Sequence, residues 1–137
     1  MIKLNFDKKE FLHKDSTTVY MATGVLNLED VKDYLYNAQD LLHDVYGNSV
    51  KLEGTNVVFK ISAKTKCHVE DQEQYDETVG EHIAESKGKR KGYEKASRIL
   101  NILSLSCIKA GSRMLRAKSD LATYASTENL HVMTLVQ

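Results

Sequence analysis

The stretch 55–84 constrains the fold most, because a strand pattern gives way to a helix pattern inside it. Apolar side chains occupy every second position of its first part, at Val57, Phe59, Ile61 and Ala63. This period of two is typical of a β-strand with one buried side and one solvent-facing side. Turn-forming residues around Gly54 separate that strand from an earlier apolar pair, so we expect a β-hairpin over 49–66.

A helix pattern follows the hairpin after a short polar joint at 67–71. Tyr75, Val79 and Ile83 recur at intervals of four residues, as the side chains along one stripe of a helix do. We therefore predict a helix with these three side chains along its apolar stripe.

The joint combines a thiol, an imidazole and two carboxylates, on Cys67, His68, Glu70 and Asp71. A nucleophilic cysteine needs a neighbouring base, but adjacent residues of an extended segment point to opposite sides. We therefore expect a carboxylate to cap the following helix and Cys67 to be a small buried hydrophobic residue. The five histidines are scattered without metal-ligand spacing, so we predict no metal and no cofactor. We predict a non-enzymatic protein, and the rival is an enzyme that depends on the Cys67 thiolate.

Shorter patterns predict the elements that precede the hairpin. Alternation predicts strands at 1–6 and 17–22, with a charged, unpatterned segment between them. Asn27 has the position of a helix N-cap, and the apolar spacing after it predicts a helix to about Tyr46, ended by Gly47.

Helical spacing dominates the C-terminal half. The basic, glycine-containing segment 86–92 predicts either a break between two helices or one long helix that passes through it. The helix over 93–109 is apolar on most sides, which is typical of a helix in a core or at a subunit interface. A last helix is expected over 113–124, and 131–136 is interpreted as an edge strand or a tail. The residues expected to face inward from this last helix are Met114, Leu115, Leu121 and Ala122.

Charge is unevenly distributed although the formal net charge is zero. Residues 1–86 hold nine Lys and Arg against sixteen Asp and Glu, a balance of −7, and residues 87–137 hold ten against three, a balance of +7. The basic half either neutralises the acidic half or binds an anionic partner. The hydrophobic share of 42% excludes general disorder, and neither a membrane span nor a signal-peptide core is recognisable, so we expect an intracellular protein.

A basic cluster opens the C-terminal half, with Lys87, Lys89, Arg90, Lys91, Lys95 and Arg98. Lys and Arg neutralise the phosphate groups of nucleotides and nucleic acids, and a nearby Tyr can stack on a base. The alternative is an ordinary solvated helix surface. The residues predicted to contact an anionic ligand or an acidic protein surface are Lys89, Arg90, Lys91, Tyr93, Arg113 and Arg116.

The segment 66–84 also resembles one found in short proteins of bacteriophages and prophages, of the kind that inhibits host defence. The shared pattern, K-C-x-x-E-D, then D, then G-x-x-I-A, is carried by Lys66, Cys67, Glu70, Asp71, Asp76, Gly80, Ile83 and Ala84. The resemblance implies a phage protein that works in the bacterial host cytoplasm by stoichiometric binding. It implies an inhibitor of a bacterial defence system, either anti-CRISPR-like or a sponge for a signalling nucleotide. A phage nucleic-acid-binding regulator is the alternative.

These observations predict one domain, 1–137, with an α+β fold. A small antiparallel sheet that contains the hairpin 49–66 packs on helices, and the C-terminal half is helical. The expected partners are a host defence protein or a signalling nucleotide, with nucleic acid as the alternative, no membrane, and further copies of the chain in a homo-oligomer.

Overall fold

The computed structural model describes residues 2–35, 37–66 and 76–136. The chain forms two compact units, Met1–Leu103 and Ser104–Gln137. Its regular elements are β1 (Lys3–Lys14), β2 (Thr17–Asn27), a 3₁₀ helix (Glu29–Tyr34), α1 (Ala38–Tyr46), a 3₁₀ turn (Gly47–Ser49), β3 (Val50–Glu53), β4 (Asn56–Lys66) and α2 (Glu77–Val136). The α+β fold predicted from the sequence is confirmed.

The four strands form one antiparallel sheet in the order β1-β2-β4-β3. The predicted hairpin is β3 and β4, with Gly54 in its turn at a φ of 63°, a left-handed conformation that glycine adopts at little cost. The side chains of β4 that were predicted to be buried are all in the core: Val57, Phe59, Ile61 and Ala63.

The first two strands are longer than predicted. β1 does not end at 6 but continues to Lys14, because a bulge between Asp7 and Glu10, with Lys8 at a φ of 53°, interrupts the alternation without ending the pairing. β2 likewise continues through Gly24 to Asn27. A Cβ at Gly24 would lie 2.9 Å from the Phe59 ring, so the glycine is required by packing and does not end the strand.

The predicted helix from Asn27 to Tyr46 was wrong in its first half. Residues 29–34 form a 3₁₀ helix, and Asn37 has a left-handed φ of 54°, so the α-helix begins only at Ala38. Asn27 is not the N-cap that was predicted, because Leu28 holds that position; the Asn27 Oδ1 instead accepts a 2.9 Å hydrogen bond from the backbone N–H of Glu29 just before the 3₁₀ helix. Gly47 ends α1 at a φ of 63°, as predicted.

The prediction of a break at 86–92 was wrong, and the alternative of one long helix is confirmed. The first unit contains 77–103 of α2, and its buried side is made of small residues spaced by four: Gly80, Ala84, Gly88, Gly92 and Ala96. The expected stripe was wrong, because Val79 and Ile83 are 51% and 42% exposed; Tyr75 lies outside the described residues. Small residues let the helix backbone approach the sheet, and Ile99 and Leu103 then complete the core with Tyr20, Phe59, Leu28 and Leu42.

The second unit is helical to Val136, through Gly111. The side chains expected to face inward do not, since Met114, Leu115 and Leu121 are 65–69% exposed and Ala122 is exposed. The edge strand or tail expected at 131–136 is part of the same helix. Within the described ranges, no helix combines the length and apolar character that a membrane span requires.

Candidate anion-binding surface

One face of the sheet lies under α2, and the other is lined by exposed or half-exposed side chains. On β4 this second face carries Lys60, Ser62, Lys64 and Lys66, all of them exposed. The strand register places Lys14 of β1 and Lys66 of β4 on either side of Thr17. Lysines from two strands therefore share one end of this face.

β4 also has an edge that carries no partner strand in the described part of the chain. β3 pairs with β4 only over Asn56 to Phe59, whereas β2 pairs along its whole length. Lys91 of α2 reaches the unpaired edge, where its Nζ donates a 3.4 Å hydrogen bond to the carbonyl oxygen of Ser62. Lysines on and beside such an edge also discourage pairing with a strand of another molecule.

Two hollows border this part of β4. The first is an open hollow of about 460 Å³ that spans β1, β2 and β4, and it is lined by Lys8, Glu10, Met21, Ala22, Thr23, Lys60, Ile61 and Ser62. The second encloses about 230 Å³ between the edge and α2 and is lined by Lys60, Ile61, Ser62, Lys91, Glu94, Lys95 and Arg98. The segment 60–62 belongs to both, and we call the two hollows together the β4-edge site.

The β4-edge site has an excess of positive charge. Its lining carries five cationic side chains, Lys8, Lys60, Lys91, Lys95 and Arg98, against the carboxylates of Glu10 and Glu94. The net charge of +3 concentrates counter-anions there, and Arg98 presents a planar fork that matches phosphate or carboxylate oxygens. The lining of the site is therefore chemically suited to an anion.

Lys95 is held in an unusual position within the site. Its Nζ lies 5.3 Å from the centre of the Phe59 ring and 5.5 Å from the centre of the Tyr46 ring, so two aromatic faces support the ammonium group. Burial, followed by the charge of Arg98, lowers the pKa of Lys95. An anion bound between Lys95 and Arg98 relieves that repulsion and favours the charged ammonium.

Of the six residues predicted to contact a ligand, the structure places Lys91 in the site. Lys89 and Arg90 pair with carboxylates instead: Lys89 lies 3.4 Å from Glu85, and Arg90 lies 3.3 Å from Glu94. Both pairs are partly or largely exposed, so they are weak and an anion can compete for the cations.

The remaining three predicted residues have other surroundings. Tyr93 packs its ring edge-on against Phe6 at 5.3 Å and remains 57% exposed. Arg113 and Arg116 lie in the second unit, where both are exposed. Sequence reasoning missed Lys8 and Lys60, although the alternation of β4 already placed Lys60 on a solvent-facing side.

The joint at 67–71 lies outside the described residues, so the roles expected for Cys67, His68 and the two carboxylates there stay predictions. The first described turn of α2 is capped by Asp76, whose Oδ1 accepts a 2.8 Å hydrogen bond from the N–H of Thr78. The described ranges contain no group of three or more potential metal ligands.

Sequence reasoning also missed a relay of side chains between the sheet and α2. Nδ1 of His13 lies 3.1 Å from Oγ1 of Thr18, and Nε2 lies 2.8 Å from Oε1 of Glu81, which is 68 positions away in the sequence. Hydroxyl, imidazole and carboxylate occur in this order in hydrolases with an activated nucleophile. The Thr18 side chain is fully buried, however, so a substrate does not reach its hydroxyl, and the relay ties the strands to the helix.

Comparison of the chain with protein-family models, with curated proteins and with solved structures finds no significant match.

Proposed function

We propose that this protein is a non-enzymatic binding protein that captures a phosphate-bearing ligand at the β4-edge site. The observation that carries the proposal is that five cations from β1, β4 and α2, against two carboxylates, line two hollows that share the segment 60–62. Among the roles expected from the sequence, this chemistry favours a phage-encoded sponge for a signalling nucleotide, which would inhibit a bacterial defence system.

The size of the site supports a small ligand. The larger hollow, about 460 Å³, falls within the range of about 300–1,000 Å³ typical of small-molecule sites. Lys60 lies between the two hollows, so a ligand with two phosphate groups can contact it from both sides. Met21 and Thr23 give the larger hollow an apolar wall with one hydroxyl, which suits a sugar or a base.

A second candidate function rests on a different observation. Beyond the hollows, Lys64, Lys66 and Lys14 extend the positive charge along the exposed face of the sheet. A row of lysines along a strand suits the backbone of a nucleic acid, as the regulator expected from the sequence would require. Both candidate functions use Lys60, but only nucleic-acid binding requires Lys14, Lys64 and Lys66.

Binding of a panel of linear and cyclic nucleotides to charge-reversed variants tests the proposal. The double variant Lys60→Glu/Arg98→Glu is expected to weaken binding of the preferred nucleotide by about a hundredfold to ten-thousandfold, because it removes two charge-assisted hydrogen bonds that contribute about 1.5–3 kcal/mol each. The double variant Lys3→Glu/Lys51→Glu is the matched control, since it makes the same charge change at two exposed positions that line neither hollow. Equal loss in the two double variants would show that only the overall charge matters.

The salt dependence of binding separates the two candidates. A nucleotide with two or three phosphates gives a shallow slope of log affinity against log salt, whereas a single-stranded nucleic acid gives a slope of about −0.7 for each phosphate contacted. A steep slope that Lys64→Glu/Lys66→Glu reduces would favour the nucleic-acid-binding regulator. For the anti-defence role, native mass spectrometry of the protein purified from a phage-infected host should reveal a co-purified nucleotide.

A further inference from the structure

The helix of the second unit carries a stripe of apolar side chains with heptad spacing, all of them exposed except the half-exposed Ala110. Its members alternate at intervals of three and four: Cys107, Ala110, Met114, Ala117, Leu121 and Tyr124. Met114, Leu121 and Tyr124 are 64–69% exposed. We call this set the 107–124 seam, and it ends where Glu128 takes the next heptad position. Such spacing is the signature of a helix that packs against another helix.

This helix exposes more apolar surface than is expected of an isolated helix in water. In the described part of the second unit, ten large apolar side chains are about half or more exposed, among them Ile108, Leu130 and Leu135. Helices in proteins take most of their stability from packing of an apolar face, and contiguous exposed apolar surface marks an interaction site. The question is which surface covers the 107–124 seam.

We propose that a second copy of this chain covers it, with the two helices antiparallel and centred between residues 115 and 116. In this register Cys107 lies opposite the second copy's Tyr124, Ala110 opposite its Leu121, and Met114 opposite its Ala117. Every layer then joins a larger side chain to a smaller one, which fills the interface at an even helix separation. This pairing rests on the seam alone and is independent of the β4-edge site.

Charge complementarity selects the antiparallel arrangement. Arg113 and Asp120 occupy equivalent positions that flank the seam, one heptad apart. In the antiparallel register, Arg113 of each copy faces Asp120 of the other, so the symmetry produces two opposite-charge contacts. In a parallel, in-register pair, Arg113 would instead face Lys118 of the second copy, and the seam would stack like on like, with Tyr124 against Tyr124.

Charge reversal at Arg113 should weaken an antiparallel dimer and strengthen a parallel one. Sedimentation equilibrium measures the dimer dissociation constant of each variant. Arg113→Asp is expected to raise the dimer dissociation constant about tenfold, because two attractive contacts become repulsive. The double variant Arg113→Asp/Asp120→Arg should restore dimerisation, since the exchanged charges face each other again. Tighter dimerisation of Arg113→Asp alone would show a parallel pair and overturn the proposal.

A pair of apolar variants shows whether the seam itself is the interface. Leu121→Lys should abolish the dimer, whereas Leu115→Lys should leave it intact, because Leu115 is equally exposed but lies off the seam. Equal effects of the two substitutions, or a wild-type protein that is monomeric at every concentration, would contradict the proposal.

Thiol cross-linking reports the register directly. In a Cys67→Ser background, the exposed Cys107 should give little dimer with a short bis-maleimide linker, because the two Cys107 residues lie at opposite ends of the antiparallel seam. Adding Tyr124→Cys should give efficient cross-linking between Cys107 and the new cysteine of the second copy. Strong cross-linking of Cys107 without the second substitution would overturn the antiparallel register.

Discussion

The backbone of Gly88 lies directly against the ring of Tyr20: a Cβ atom built on Gly88 would come within 2.2 Å of Cδ1 of that ring. Real Cβ contacts are never that short, and Tyr20 is fully buried in the middle of the sheet. The close approach of α2 to β2 therefore depends on the absence of a side chain at this position.

Replacement of Gly88 by Ala should destabilise the protein by about 1–3 kcal/mol through overpacking, less a helix-propensity gain of about 1 kcal/mol. Gly111→Ala is the matched control, because nothing lies within 4 Å of a Cβ there and the same propensity gain applies. Urea denaturation of both variants measures the difference. A Gly88→Ala protein as stable as Gly111→Ala would contradict the packing described here.

The Tyr20 hydroxyl is buried and makes no hydrogen bond within the described residues. Removing it in Tyr20→Phe should leave stability unchanged or raise it by up to about 1–2 kcal/mol, because a buried unsatisfied polar group is costly. A lower free energy of unfolding for Tyr20→Phe than for the wild type, measured by urea denaturation, would show that the hydroxyl has a hydrogen-bond partner.

Tyr20 also predicts a pH dependence. Burial, followed by the charge of Glu85, raises the pKa of Tyr20 above its ordinary value of 10.0. The unfolded chain therefore loses this proton first, so stability is fully present below pH 10.0 and falls as the pH rises through the folded-state pKa. The alkaline decline should be shallower in Tyr20→Phe, and identical declines would contradict the assignment.

The parts of the fold that could be predicted from the sequence carry a strong local signal. β4 alternates large apolar side chains with polar ones, and Gly54 and Gly47 occupy positions where a left-handed conformation is needed. The buried side of α2 could not be predicted in this way, because Gly88 and Ala84 contribute little hydrophobicity while the exposed Val79 and Ile83 have the expected spacing. The bulge near Lys8 likewise masks the continuation of β1.

The candidate site was predictable only in part. Lys91 and its basic neighbours form a cluster in the sequence, so their positive charge and their position on a helix could be inferred. Lys8 and Lys60 come from separate strands, and only the sheet topology brings them to the same hollow. Lys89 and Arg90 form ion pairs with Glu85 and Glu94 instead of lining the site. These pairs form only because the helix continues through 86–92.

Asp76→Ala should destabilise the protein by about 0.5–2 kcal/mol, because the N–H of Thr78 loses its capping carboxylate at the start of α2. Asp76→Asn is the control, since the amide oxygen can accept the same hydrogen bond. Thermal denaturation followed by circular dichroism compares the two. Equal losses would show that charge near the helix N-terminus, and not the hydrogen bond, is the stabilising feature.

Lys95 predicts proton uptake on ligand binding. Its pKa is lowered by burial and by Arg98, and a bound phosphate group raises that pKa again. At a pH near the lowered pKa, part of the free protein lacks the proton, so binding takes one up. Calorimetry in buffers of different ionisation enthalpy should detect this uptake, and Lys95→Arg should lack it because arginine stays charged. If the wild-type protein took up no proton on binding at any alkaline pH, the ligand would not be bound at Lys95.

The most direct test of the central claim is a titration of the ¹⁵N-labelled protein with pyrophosphate and then with adenine nucleotides, followed by amide chemical shifts. The β4-edge site predicts that the shifts concentrate at 60–62, at 91–98 and around Lys8, and that they saturate. Shifts confined to the second unit, or spread without saturation over all exposed lysines, would contradict an anion receptor at this edge.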